Sequence, residues 1–119
     1  SLPVIESLES VCSRLGYPEA TLLEVRILFV EGIDNTLQSI EKAFKDEDWA
    51  DLESEMLKFY GGCLYLGIPR LTLTADWLYR TLYNENYLID DIGKFYSLFM
   101  AEMTLLLTDY PDVFTKISH

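Results

Sequence analysis

Apolar residues recur every three or four positions along almost the whole chain, and this helical period is the strongest constraint on the fold. No stretch alternates apolar and polar residues for long enough to indicate a β-strand. The pattern is interrupted only where glycine, proline or short polar clusters gather, as at Gly16, 46–48, Gly67 and 84–86. The sequence therefore predicts an all-α protein whose helices are joined by short turns.

Residues with known capping preferences mark the ends of these helices. Gly16 suits a left-handed cap after the first helix, and Gly67 suits the end of the third. Asp46 or Asp48 can cap the start of the third helix, and Pro111 closes the last one. The predicted helices cover residues 2–15, 18–44, 49–66, 69 onward, and 89–108.

Each of the four longer helices has one apolar face, which we expect to be buried. Four such helices with short links favour an antiparallel four-helix bundle, with the short first helix on one end or side. The whole chain, 1–119, is expected to be one domain. The residues expected in the core are Leu23, Ile27, Val30, Ile33, Leu37, Ile40 and Phe44 in the second helix, Leu52, Met56, Phe59, Cys63 and Leu66 in the third, Leu71, Ala75, Leu78 and Leu82 in the fourth, and Ile92, Tyr96, Phe99, Met103 and Leu106 in the last.

The formal net charge of -11 argues against nucleic acid or an anionic membrane surface as a partner, since both would repel the chain. No apolar run approaches the ~18 residues that a membrane-spanning helix requires. Cys12 and Cys63 lie within helical patterns without metal-ligand spacing, which favours reduced thiols and a cytoplasmic location.

Residues for catalysis or metal binding are scarce. The only histidine is His119, the last residue, so no Ser/His/Asp arrangement is expected. The acidic residues between Asp46 and Glu55 lack the alternating ligands and central glycine of a calcium loop. We therefore expect no metal, no cofactor and no enzymatic activity.

The third helix carries an unusual outward face. Leu57, Gly61 and Leu64 project away from its predicted core side, where lysine or glutamate would be usual. Glycine within a helix also lowers its stability by ~1 kcal/mol relative to alanine. Something should therefore cover this strip: either another helix of the same chain or a second protein.

The segment LKFYGGCLYLGIPR, from Leu57 to Arg70, resembles the central helix and following turn of a histidine phosphotransfer (HPt) domain. Those domains carry His-x-L-x-G and, in the tripartite hybrid sensor kinases, a G-V-P-R turn after it. The resemblance places the phosphoacceptor at Leu57, which has no nucleophile. Lys58 and Gly61 match the family, whereas Tyr60 stands where a lysine often helps to hold the phosphoryl group.

The resemblance implies an HPt-like module of a two-component phosphorelay that binds a receiver domain or sensor kinase without accepting phosphate. Two alternatives remain open: a genuine phosphotransfer domain whose histidine was substituted, and an unrelated helical module for dimerisation or ligand binding. The expected partner-binding residues are Ser54, Leu57, Lys58, Tyr60, Gly61 and Leu64.

Overall fold

The computed structural model describes residues 1–84 and 86–115, without the side chain of Val113. Glu85, predicted to lie in a loop, and His119 are outside the described residues. The described part contains no β-strand, which confirms the all-α prediction there. Its helices are α1 (Leu8–Leu15), α2 (Glu19–Lys45), α3 (Trp49–Cys63), α4 (Pro69–Tyr83), α5 (Ile89–Asp109) and α6 (Pro111–Thr115).

The order of helix contacts places α3 between α2 and α4, and α4 between α3 and α5. Two contacts fix the direction of α4 relative to α5. Arg70, at the start of α4, pairs with Glu102 near the end of α5, whereas Trp77 further along α4 contacts Phe95 near the start of α5. The two helices are therefore antiparallel.

The core contains the predicted faces of α3, α4 and most of α5. Aromatic contacts connect helices across it, including an edge-to-face pair between Phe59 and Phe99 with ring centroids 5.0 Å apart. The stacked rings of Phe44 and Tyr96, 3.8 Å apart, join α2 to α5. The predicted core residues of these three helices that are buried are Leu52, Met56, Phe59, Cys63, Leu66, Leu71, Ala75, Leu78, Leu82, Ile92, Phe99, Met103 and Leu106.

The prediction of which face of α2 is buried was wrong for the first half of the helix. Leu22 and Arg26 are buried there, whereas Leu23 is only partly buried and Ile27 is exposed. A charged side chain such as Arg26 is rarely buried without a partner. Its partners here are backbone carbonyls supplied by distant parts of the chain.

Arg26, only 1% exposed, connects three segments. Its Nε donates to the carbonyl of Leu66 at 2.8 Å, and an Nη2 donates to the carbonyl of Glu6 at 2.9 Å. The guanidinium also lies 4.9 Å from the ring centroid of Phe114 in α6. Burial lowers the pKa of Arg26 from its ordinary value, because desolvation disfavours the charged form.

The first helix is shorter than predicted. It begins at Leu8 rather than Leu2, because the Ser7 side chain caps it by accepting from the backbone N–H of Ser10. The preceding segment is instead held by a hydrogen bond of 2.8 Å from the N–H of Glu6 to the carbonyl of Gly67. This segment therefore lies beside the turn that follows α3.

Two other predicted helix ends also differ. The third helix ends at Cys63 rather than Leu66, and Leu66 then lies buried in the turn. Pro111 does close α5, but it also begins α6, since proline is tolerated in the first turn of a helix. The cap at Gly16 is confirmed, with φ of 78°, whereas the cap of the third helix is Leu64; Gly67 lies at the end of the following turn with φ of 72°.

No helix within residues 1–84 and 86–115 is both long enough and apolar enough to cross a lipid bilayer.

Candidate functional site

The candidate site is the outward strip of α3 and the turn after it, defined as Leu57, Gly61 and Leu64. Leu57 is 50% exposed and Leu64 is 42% exposed. A Cβ atom added at Gly61 would have no neighbouring side chain or other helix within 4 Å. Neither α1 nor another described helix covers the strip, so its apolar atoms face solvent.

The other predicted partner-binding residues lie on the same side of α3. Ser54 and Lys58 are exposed, and Tyr60 is half-buried. At 100° per residue the six predicted residues span an arc of about 160°. All six therefore lie within one half of the circumference of α3 and its following turn.

A concave site borders the strip on the side of α4. It has a volume of about 290 Å³, and Tyr60, Leu64 and Thr72 contribute to its lining. Glu6 and Arg14 also line it, and their side chains form an ion pair of 2.8 Å. The N-terminal segment thus forms part of the surroundings of the strip, which the sequence pattern did not indicate.

A second concave site, also about 290 Å³, lies between α2 and α3. Leu28 and Gly32 line it from α2, and Lys58 and Gly62 line it from α3. Leu28 is 60% exposed although it is apolar. The sequence did contain a signal for this site, because Leu28 and Gly32 are one helical turn apart and a glycine there leaves room beside the leucine.

Acidic side chains are concentrated at the start of α3. The Asp48 side chain caps the helix by accepting from the N–H of Asp51 at 3.1 Å. Asp46 forms an ion pair of 2.6 Å with Lys42. Beside the strip lies the cation Lys58, whose Nζ is 4.0 Å from Glu55 Oε1. Carboxylates near a helix start complement its dipole, so these charges have a structural role.

The nucleophile nearest the strip is the thiol of Cys63, and it is poorly suited to chemistry. The side chain is buried in the core, and this burial raises the pKa of the thiol far above its ordinary value. Among the described residues, no group of three or more His, Cys, Asp or Glu side chains is placed to hold a metal ion. What the exposed apolar strip can do is bind another surface.

No protein-family model, curated protein or solved structure matches this chain. The hypothesis about its function therefore depends on the 57–70 segment and on the geometry of the strip.

Proposed function

We propose that this protein is an HPt-like docking module of a two-component phosphorelay, which binds a receiver domain or hybrid sensor kinase through α3 and does not accept a phosphoryl group. In this proposal α2 to α5 form an antiparallel four-helix bundle, with α1 packed on its side. The neighbour order of α2, α3, α4 and α5 supports this architecture. The stacking of Phe44 on Tyr96 joins α2 to α5 at one point, and α6 packs against both helices.

The observation that carries the proposal is the exposure of Leu57 and Leu64 on either side of an open glycine. An α3 that served only to pack the bundle would present polar side chains to solvent. The opposite face of α3 is fully buried at Leu52 and Met56, so the helix already has a complete core contact. The outward apolar atoms are thus available to a partner.

Binding would be driven by removal of this apolar surface from water, at about 25 cal/mol per Å², less the free-energy cost of association. Gly61 allows the partner backbone or a side chain to approach the helix closely, because it has no Cβ. Position 57 would lie at the centre of the contact. A leucine there adds apolar contact where the resemblance places a phosphorylated imidazole.

The direct test introduces a long side chain into the strip. Gly61→Arg should weaken binding to a cognate receiver domain by well over tenfold, measured by calorimetry against the receivers encoded in the same genome. The fold should survive, because the new side chain projects into open space. Gly93→Arg is the matched control, since Gly93 is an open helical glycine on α5. Equal binding by both variants, or binding by no receiver, would contradict the proposal.

A second test restores the missing acceptor. In Leu57→His the phosphoryl group would move from a receiver aspartyl phosphate to an imidazole nitrogen, which regenerates the aspartate carboxylate. We expect transfer to be slow, because Tyr60 provides no cation near the phosphoryl oxygens and Lys58 lies about 100° round the helix. Adding Tyr60→Lys should accelerate it.

The readout is acid-labile radiolabel on wild type, Leu57→His and the double variant. Labelling of wild type would contradict the absence of phosphate acceptance. Receiver binding without labelling of either variant would show that position 57 is not the acceptor position.

A further inference from the structure

A second apolar surface lies between α4 and α5, and none of the residues that line it belongs to α3. This α4–α5 groove has a volume of about 540 Å³. Leu73 and Trp77 line it from α4, Leu98 and Ala101 line it from α5, and Ser1 and Leu2 of the N-terminal segment also contribute. Trp77 and Leu98 are each 40% exposed. The exposed part of a tryptophan in a groove is typical of an interaction surface.

Charged side chains lie at the two ends of the groove: Lys94 lies just beyond one end, and the ion pair of Arg70 and Glu102 lies at the other. Lys94, Leu98 and Glu102 follow one another at four-residue intervals, so they lie along one side of α5. The Lys94 Nζ lies 5.4 Å from the ring centroid of Phe95, which contacts Trp77. Glu102 lies at the other end, next to Arg70. The groove therefore has a basic end and an end with a carboxylate, separated by about 12 Å of helix.

We propose that the occupant of this groove is a second copy of the same chain, in a two-fold dimer in which the two α5 helices pack antiparallel across Leu98. Lys94 and Glu102 are equally distant from Leu98 along the helix. A two-fold axis at Leu98 therefore brings Lys94 of each copy to Glu102 of the other. An isologous interface must be self-complementary in this way.

The carboxylate of Glu102 has capacity for this contact. Its Oε1 accepts from both Nε and an Nη2 of Arg70, at 3.1 and 2.6 Å. Its Oε2 is buried and accepts no hydrogen bond from the described residues. A buried acceptor without a donor is unfavourable, and a lysine ammonium offers three donors. Contact with Lys94 of the second copy would include a rotation of the carboxylate that brings Oε2 to the surface.

The same symmetry places the aromatic part of the groove against a cation. Trp77 lies at the Lys94 end of the groove, and Arg70 lies at the Glu102 end. In the dimer the exposed indole ring of one copy would therefore lie near the guanidinium of Arg70 in the other, a favourable arrangement of cation and ring face. Leu98 would contact its own equivalent at the centre.

The charge pattern favours a second copy over a different protein. A chain with a net charge of -11 should attract basic partners, but a basic surface would be repelled by Lys94 at one end of the groove. A copy of this chain matches both ends. Its overall negative charge opposes association at long range, but at 0.15 M salt this repulsion is screened beyond about 8 Å, whereas the paired charges are in contact.

The experiment is sedimentation equilibrium at 0.15 M salt. We expect wild type to dimerise, and Lys94→Glu and Glu102→Lys each to raise the dimer Kd at least tenfold, because each creates two like-charge pairs. A mixture of the two variants should form a heterodimer as tightly as wild type, since both opposite-charge pairs are restored in it. Lys45→Glu makes the same charge change on α2 and should leave the dimer Kd unchanged.

Two further variants keep the result interpretable. Glu102→Lys also removes the ion pair between Arg70 and Glu102, so circular dichroism must show that this variant is folded. Leu98→Asp tests the same interface and leaves that ion pair intact. Leu57→Arg should not affect the dimer. Wild type that stays monomeric at about 100 μM, a mixture that does not associate, or a dimer abolished by Leu57→Arg but not by Leu98→Asp would overturn the proposal.

Discussion

Replacing Arg26 by methionine removes the group that joins the N-terminal segment, α2 and the turn after α3. Methionine is unbranched and flexible, so it can follow the aliphatic part of the arginine side chain, but it does not reach the space that the guanidinium group occupied. The carbonyls of Leu66 and Glu6 lose donors at 2.8 and 2.9 Å. A buried acceptor left without a donor costs about 1–3 kcal/mol. The bond to Leu66 is buried and the bond to Glu6 is partly buried, so the cost for the pair is at most about 6 kcal/mol.

The opposing contribution comes from the charge itself. Methionine does not carry the desolvation penalty of a buried guanidinium, and this gain can be several kcal/mol. The carbonyls remain buried in the variant, so we expect the loss of hydrogen bonds to prevail. The expected loss of unfolding free energy is about 3 kcal/mol, a large fraction of the roughly 5–15 kcal/mol typical of a domain.

The assay is urea denaturation followed by circular dichroism, with Arg14→Met as the matched control. Arg14 also contacts Glu6, but through an ion pair in which the arginine side chain is half exposed, so its loss should cost less than about 1 kcal/mol. An Arg26→Met protein as stable as wild type would refute the argument, because it would show that desolvation of the charge outweighs the two hydrogen bonds.

Four other predictions concern the turns, the reactivity of the thiols, the pH dependence of stability, and metal ions. Gly67→Ala should lower the unfolding free energy by about 3 kcal/mol or more in urea denaturation, because the φ of Gly67 is 72° and a Cβ atom there would overlap the side chain of Val11. Gly16→Ala is the matched control. Gly16 has a φ of 78° but open space around it, so this substitution should lower the unfolding free energy by only about 1 kcal/mol. Iodoacetamide at pH 8 should label Cys12 but not Cys63 in the folded protein by mass spectrometry, because Cys63 is buried with a raised pKa. Above pH 9.0 the unfolded chain loses the Cys63 proton that the folded protein keeps, so stability should fall with pH more steeply in wild type than in Cys63→Ser. Millimolar Ca²⁺ or Zn²⁺ should leave the melting temperature within about 1 °C, and a rise of several degrees would contradict this expectation.

The sequence was a good guide wherever local periodicity decides the structure. Met56 and Phe59 were placed in the core because both lie on the apolar face of a helix, and a helix with one apolar face buries it. The cap at Gly16 followed from the conformational freedom of glycine. The outward direction of Leu57 followed from the same periodicity, and its exposure agrees with it.

The sequence was a poor guide wherever distant segments decide. Arg26 is buried because two carbonyls and an aromatic ring meet there, and none of them is near it in sequence. Residues 2–7 have an apolar pattern that suits a helix, but pairing of Glu6 with Gly67 holds them outside α1. The groove beside Trp77 depends on how α4 and α5 pack, which periodicity alone does not determine.

The attachment of the N-terminal part of the chain also bears on the order of folding. The hydrogen bond between Arg26 and Leu66 joins residues 40 positions apart, and that between Tyr17 and Tyr65 joins residues 48 apart. Contacts between α3 and α4, and between α4 and α5, need only short loops to close, so we expect them to form earlier. In stopped-flow measurements Arg26→Met should then mainly raise the unfolding rate and leave the folding rate nearly unchanged, because its bonds form after the transition state.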